Sequence, residues 1–190
     1  DVGFMWLLSS VANYRLTGNT RSRARGLIAA NYLSSRFNIK GNYLVAWNSK
    51  ERQGWSIIDS MMNIPLLYWA AKETGYERYQ DIAMAHADKT LENVIRPDGS
   101  VIHIINYDIV TGEVLDTFPG QGYEEGSSWT RGQAWAIYGF ALSYLHTKEQ
   151  RYLDAAKKVS HYFLSAAADY DYIPPIDFRS PKEPLFIDTT

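Results

Sequence analysis

The sequence predicts an all-α fold built from stacked helical hairpins. The first observation is a repeat. "YRLTGNTRSRARGLIAANYLSSRF" from Tyr14, "AKETGYERYQDIAMAHADKTLENV" from Ala71 and "YLHTKEQRYLDAAKKVSHYFLSAA" from Tyr144 share one pattern. Each closes an apolar helix, turns at Thr17-Gly18, Thr74-Gly75 or Thr147-Lys148, and opens an amphipathic helix. The second observation is register. Tyr79 and Tyr152 lie five residues after the turn threonine, Ala83 and Ala156 nine after it, and Leu91 and Leu164 seventeen after it. The third is that apolar positions recur at helical spacing in the second helix of every pair. A helix pair repeated in this way buries its apolar face against its neighbours, as a solenoid or a closed toroid.

The first helix of each pair spans Phe4 to Leu16, Ile57 to Ala71, and Trp129 to Leu145. These segments are apolar on nearly every side, which predicts an inner, buried layer behind which the second helices form an outer one. Pro65 requires a kink or a first-turn position in the middle helix. Between the second and third hairpins, "RPDGSVIHIINYDIVTGEVLDTF" carries turns at Asp98-Gly99 and Thr111-Gly112 and reads as a short antiparallel β-hairpin. "GNYLVAW", Gly41 to Trp47, reads as another short strand. "GQGYEEGSS", Gly120 to Ser128, is a glycine-rich loop that leads into the third inner helix, with Ser127 or Ser128 as its N-cap. Site residues are expected in loops gathered at one end of such a bundle.

Composition narrows the function. A chain of 190 residues suits one domain, and 46% hydrophobic residues can fill a core. A net charge of −2 with no basic block disfavours nucleic acid as a partner. No apolar run is long enough to span a membrane, and no leader pattern is present. Cysteine is absent, which removes disulfides, thiol chemistry and Cys-ligated zinc. Six Trp and fourteen Tyr suit either a large aromatic core or a sugar cleft, where flat rings pack on pyranose faces. The chain starts at Asp1 and stops after "FIDTT", which reads as a fragment or processed piece.

Asp59 is the most informative single residue. It lies among Ile57, Ile58, Met61 and Met62, at the start of an inner helix. Either it caps that helix, or it is a proton donor and acceptor whose apolar neighbours favour the protonated acid. Asp1 reads as a solvated residue unless a cleft encloses it. His103 alternates with Ile102 and Ile104, so it projects from the opposite face of its strand, as a surface or interface histidine would. His86, His146 and His161 read as structural. No histidine pair has metal-ligand spacing, so no metal and no other cofactor is expected. "GQGYEEGSSWTRGQAW", Gly120 to Trp135, is the densest polar-aromatic stretch. Gln121, Arg131 and Gln133 can bond hydroxyls or a carboxylate, and Trp129 and Trp135 can stack. The alternative for this stretch is a capped helix with an i,i+4 ion pair. Neither a phosphate loop nor a G-x-S-x-G elbow occurs.

"DVGFMW", "IIDSMMNIPLLYWA", "RPDGSVIHIINYD" and "QGYEEGSSWTRGQAWAIYGFA" resemble, in order and spacing, signature blocks of the unsaturated glucuronyl hydrolases, glycoside hydrolase family 88. The resemblance covers essentially the whole chain. It implies an (α/α)6 toroid of six helical hairpins, of which residues 1–190 would be a single partial catalytic domain of three. It implies release of a Δ4,5-unsaturated uronic acid from the non-reducing end of oligosaccharides left by polysaccharide lyases. The reaction would hydrate the C4=C5 vinyl ether, with one aspartate giving a proton to C4 and taking one from the water that attacks C5. The resemblance places that acid/base at Asp59 and a second aspartate at Asp1. It places sugar contacts at His103 and Gln121 and, further, at Trp47, Trp129, Arg131, Gln133 and Trp135. One departure is Gly120, where family members often carry a histidine. An unsaturated uronic-acid oligosaccharide is the expected partner, and an oligomer stays open. The expected location is the cytoplasm; a periplasmic or secreted protein also fits, because both chain ends read as truncated. The rivals are an unsaturated rhamnogalacturonyl hydrolase, with the same chemistry on pectin fragments, and a non-catalytic helical-repeat protein that binds glycan or protein. A sugar epimerase on the same toroid would need histidines on the inner helices, and none is found.

Overall fold

A computed structural model describes residues 1–182, a mostly helical chain with two small sheets. The "FIDTT" segment therefore lies outside the described residues. The first hairpin runs from α1 (Val2–Trp6) through a π-helical turn (Leu7–Val11) and α2 (Ala12–Thr17) to α3 (Thr20–Ser34). The second joins α4 (Ser60–Asn63) and α5 (Pro65–Thr74) to α6 (Arg78–Asn93). The third is α7 (Thr130–Thr147) and α8 (Gln150–Ala168). Helices α1, α5 and α7 lie side by side, α3 and α6 pack behind α5, and α8 packs behind α7.

One turn chemistry closes all three hairpins. Thr17, Thr74 and Thr147 each donate their hydroxyl to the carbonyl four residues back, at 2.7 Å. Each then accepts, at 3.2 Å, from the backbone N–H two residues on. The residue between turns left-handed: Gly18 at φ 71°, Gly75 at φ 75° and Lys148 at φ 64°. Glycine suits that conformation and lysine does not, so the third turn is made by its hydrogen bonds rather than by preference. The repeated tyrosines are buried, with Arg78 over Tyr79 and Arg151 over Tyr152, both at 4.7 Å. Ala83 and Ala156 are buried too, whereas Leu164 is exposed.

The expected inner layer holds for α5, buried from Pro65 to Ala71. In the first hairpin the helix lies in the same layer, but Met5, Leu8 and Leu16 are exposed. Pro65 occupies the first turn of α5, directly after the break at Ile64, where its missing N–H has no helical partner to lose.

The expected middle helix from Ile57 is corrected at its start. Trp55–Ile57 forms a strand, β3, and the helix begins only at Ser60. Strand β3 pairs antiparallel with β4 (Ile104–Tyr107), which pairs with β5 (Val114–Phe118); Ile57 faces Ile104 and Ser56 faces Ile105. "GNYLVAW" contributes only β2 (Tyr43–Leu44), paired with β1 (Phe37–Asn38). Neither Ser127 nor Ser128 caps α7: Trp129 stands at the N-cap, without a side-chain cap bond. Among the described residues no helix is long and apolar enough to cross a membrane.

Strand β2 is tied to α6 through His86, fully buried, whose Nδ1 accepts from the Leu44 N–H at 3.1 Å. That bond requires a neutral ring, and burial lowers its pKa from 6.5 to about 4. Between those two values the unfolded chain binds a proton that the folded chain does not, so stability falls as pH drops through this window. We expect a loss of about 3 kcal/mol in urea denaturation between pH 7 and pH 4 from this group. His86→Gln should flatten that slope.

Candidate functional site

Strand pairing brings Asp59 and His103 together. The Ile58 N–H donates to the His103 carbonyl at 3.0 Å, continuing the β3–β4 ladder, and Asp59 follows where the chain turns into α4. His103 is buried, not on the surface, and its Nε2 lies 3.4 Å from Asp59 Oδ2. Asp59 stands at the helix N-cap, yet its side chain makes no cap bond. Oδ2 is buried with no hydrogen-bond partner among the described residues, and its contact with His103 is long. The side chain as a whole keeps 18% of its surface accessible, none of it at Oδ2.

The other nitrogen of His103 sets the tautomer. Nδ1 accepts the Gln121 backbone N–H at 2.9 Å and also lies 3.2 Å from the Pro119 carbonyl. A backbone N–H can only donate, and its contact is the shorter, so Nδ1 is the unprotonated nitrogen. Nε2 then carries the hydrogen and lies 3.4 Å from Asp59 Oδ2, short of a formed hydrogen bond. Gly120 permits the approach. At φ 59° it is left-handed, and a Cβ there would fall onto His103 Nδ1.

A closed circuit of contacts surrounds the pair. Trp129 stacks on His103 with centroids 4.3 Å apart, and the Arg131 guanidinium lies 4.7 Å over Trp129. Arg131 donates to Gln121 Oε1 at 2.8 Å, and Gln121 returns through its backbone to His103. Sequence position alone does not bring together residues 59, 103, 121, 129 and 131; the sheet and the glycine loop do.

Two expected sugar contacts are buried and bonded within this chain. Trp129 is 2% exposed, in contact with the His103 ring and the Arg131 guanidinium. Gln133 is fully buried: its Oε1 accepts from the Val101 N–H and its Nε2 donates to the Gly99 carbonyl at 3.3 Å. Its amide fastens the 98–101 turn to α7. Trp135, one helical turn beyond Arg131, is half-buried against the core.

Trp47 belongs to a separate aromatic group. It meets Trp55 edge-on at 5.7 Å, Trp55 stacks on Phe118 at 4.7 Å, and Arg52 lies over both indoles. Trp47 also lines an open cleft of about 730 Å³ with Val2, Arg36, Asn38 and Lys50. Asp1, the residue before Val2, is exposed. Its helix is pinned to α4: Phe4 N–H donates to Asn63 Oδ1 at 3.1 Å, and Asn63 Nδ2 donates to the Asp59 carbonyl at 3.1 Å.

Arg36 was not legible in the sequence. Its side chain donates to the Ala46 carbonyl at 2.5 Å, its Nε is buried without a partner among the described residues, and burial lowers its pKa. No motif surrounds it; only its place after an outer helix and beside Phe37 could have drawn notice. Among the described residues no group of three His, Cys, Asp or Glu could hold a metal ion.

No family model matches the chain. Individual proteins do. It is 39% identical over 167 residues to an unsaturated chondroitin disaccharide hydrolase of Streptococcus pneumoniae, covering 87% of this chain and 42% of that one. It is 36% identical over 187 residues to an unsaturated glucuronyl hydrolase of Bacillus sp. GL1, covering 97% and 49%. The crystal structure of unsaturated glucuronyl hydrolase from Bacillus sp. GL1 superposes with a TM-score of 0.93 at 35% identity, over 98% of this chain and 50% of that one. A Streptococcus agalactiae unsaturated glucuronyl hydrolase variant, complexed with dGlcA-GalNAc6S, superposes with a TM-score of 0.78 at 32% identity, over 100% and 45%. The chain spans about half the length of the curated relatives it matches.

The Gly120 contact can be tested without an assay. Gly18 and Gly120 are both left-handed, but a Cβ at Gly18 meets open space. Gly18→Ala should cost about 1 kcal/mol, the backbone penalty alone. Gly120→Ala should cost clearly more in urea denaturation, because His103 must move; equal costs would contradict the packing.

Proposed function

We propose that this chain, which belongs to the unsaturated glucuronyl hydrolase family, carries the acid/base half of a site that hydrates Δ4,5-unsaturated uronic acids. Residues 1–190 are then a single partial catalytic domain, three hairpins of an (α/α)6 toroid. The substrate is an oligosaccharide left by a polysaccharide lyase, bearing the unsaturated sugar at its non-reducing end. The names of the matched relatives, and the dGlcA-GalNAc6S bound in one of them, support that substrate class.

The observation that carries the reading is the orientation of Asp59. His103 presents Nε2–H to Oδ2, so the two carboxyl oxygens are unequal. Oδ1, the oxygen that does not face His103, is the atom left to hold the transferable proton. Asp59 as the acid gives that proton to C4 of the vinyl ether, and positive charge develops at C5 and the ring oxygen. Asp59 as the base then takes a proton from the water that bonds to C5. The C5 hemiketal opens to a ketone and leaves a hemiacetal at C1, whose collapse expels the remaining sugar. The proton given to C4 is regained from water, so the acid is restored. Because one carboxyl serves both steps, the carboxylate separation that distinguishes retaining from inverting glycosidases does not apply.

The surrounding residues bind and orient. Arg131 and Gln121, linked to each other, suit the uronate carboxylate and ring hydroxyls. Trp135 and Trp47 offer apolar surfaces for sugar rings, Trp47 on the cleft that leads away from Asp1. Asp1, the second aspartate, heads the helix that Asn63 pins to the backbone of Asp59. Trp129 and Gln133 act by holding His103 and the 98–101 turn, not by touching sugar.

Asp59→Asn in the protein that carries this chain should lower turnover of a Δ4,5-uronyl disaccharide at least about a hundredfold, the usual contribution of a general acid/base. The readout is disappearance of the ultraviolet absorbance of the conjugated double bond. Undiminished turnover would refute the assignment.

A further inference from the structure

The segment after α8 crosses back over the glycine loop and is buckled to it by Asp177, a residue with no place in the chemistry above. Asp177 is fully buried. Its Oδ1 accepts the N–H of Ser128 at 2.9 Å and of Arg179 at 2.8 Å, and its Oδ2 accepts the N–H of Tyr123 at 3.1 Å. The backbones join on either side: Thr130 N–H donates to the Ile176 carbonyl, and Phe178 N–H to the Ser128 carbonyl, both at 3.0 Å. Arg179 completes the fastening by donating to the Gly126 carbonyl and to Asp98 Oδ2, both at 2.6 Å.

The loop held this way contains both groups that fix His103 from the side away from Asp59. Gln121, just before Tyr123, supplies the N–H on Nδ1; Trp129, just after Ser128, supplies the stacked ring. The Asp177 carboxylate therefore bonds the loop immediately inside each of these two contacts. Gly122 leaves it room, since a Cβ there would lie 3.0 Å from Oδ2 and collide with Ser127. A carboxylate fits this place because every group converging on it is a donor. An isosteric amide must point its NH2 at a backbone N–H on one side or the other.

We infer that Asp177 is a positioning residue for the hydration reaction. By clamping residues 123 and 128 it keeps Nδ1 of His103 an acceptor and Nε2–H aimed at Asp59. It touches neither the substrate's expected place nor Asp59. The inference rests on the function proposed above for its catalytic consequence, but not for its effect on His103.

The test compares Asp177→Asn with Gly18→Ala, a distant destabilising control. Nitrogen-15 NMR of the histidine rings in this chain should show His103 as the single tautomer with Nδ1 unprotonated. Asp177→Asn should move His103 to a mixture of tautomers, and Gly18→Ala should leave it unchanged. In the protein that carries the chain, Asp177→Asn should lower kcat at least tenfold with KM changed less than about twofold. Should Asp177→Asn fail to fold, Arg179→Ala loosens the same buckle from its exposed side and should shift His103 in the same direction. A folded variant with unchanged His103 signals overturns the inference, whatever its activity. Wild-type protein without turnover would refute the proposed function while leaving the NMR comparison to decide this one.

Discussion

The contact between His103 Nε2 and Asp59 Oδ2 is the constraint on which the site depends. Burying a carboxylate oxygen without a good partner costs about 1–3 kcal/mol. The fold accepts that cost here while leaving the second oxygen within reach of a ligand. The contact is long, 3.4 Å. Such bonds often tighten only when substrate closes the site. What the protein builds beforehand is the direction of the hydrogen, and it does so from the far side of the ring, through a backbone N–H that cannot titrate.

Several layers of structure serve that direction. The β3–β4 ladder sets the spacing of the two residues. The left-handed Gly120 lets the Gln121 N–H reach Nδ1. Trp129 covers the ring face, and Gln133 fastens the turn beside it. The helical hairpins supply the rigid frame, with α5 buried throughout and α4 anchoring both Asp59 and the helix that carries Asp1. Gln121 on the glycine loop and Arg131 on the first turn of α7 border this arrangement, and Trp47 lies apart on the open cleft.

The hairpins were legible because each ends in the same local chemistry, a threonine and a left-handed residue, which neighbours in sequence decide. The three-stranded sheet was only partly legible. Trp55–Ile57 and the following helix form one apolar run, and periodicity cannot divide such a run between strand and helix. Missing β3 hid the reason that Asp59 and His103 meet. It also left His103 looking like a surface residue. Trp129 and Gln133 drew notice because their residue types bind sugars; their burial, against His103 and the 98–101 turn, comes from long-range packing that the sequence does not display. Arg36 and Asp177 carry no local signature at all. Each is defined by what folds over it, from residues as distant as Ala46 in one case and Tyr123 in the other. The resemblance to a family located Asp59 as a candidate; the strand pairing supplied the physical reason for its orientation.

The most direct measurement is a crystal structure of the Asp59→Asn protein with an unsaturated uronyl disaccharide bound. The account predicts C4 of the unsaturated ring within about 3–3.5 Å of the residue-59 side-chain atom facing away from His103, the distance of a near-attack arrangement. It also predicts that His103 still contacts the other side-chain atom. A sugar seated with C4 well beyond that reach, or a side chain turned so that both atoms face the protein, would contradict the account.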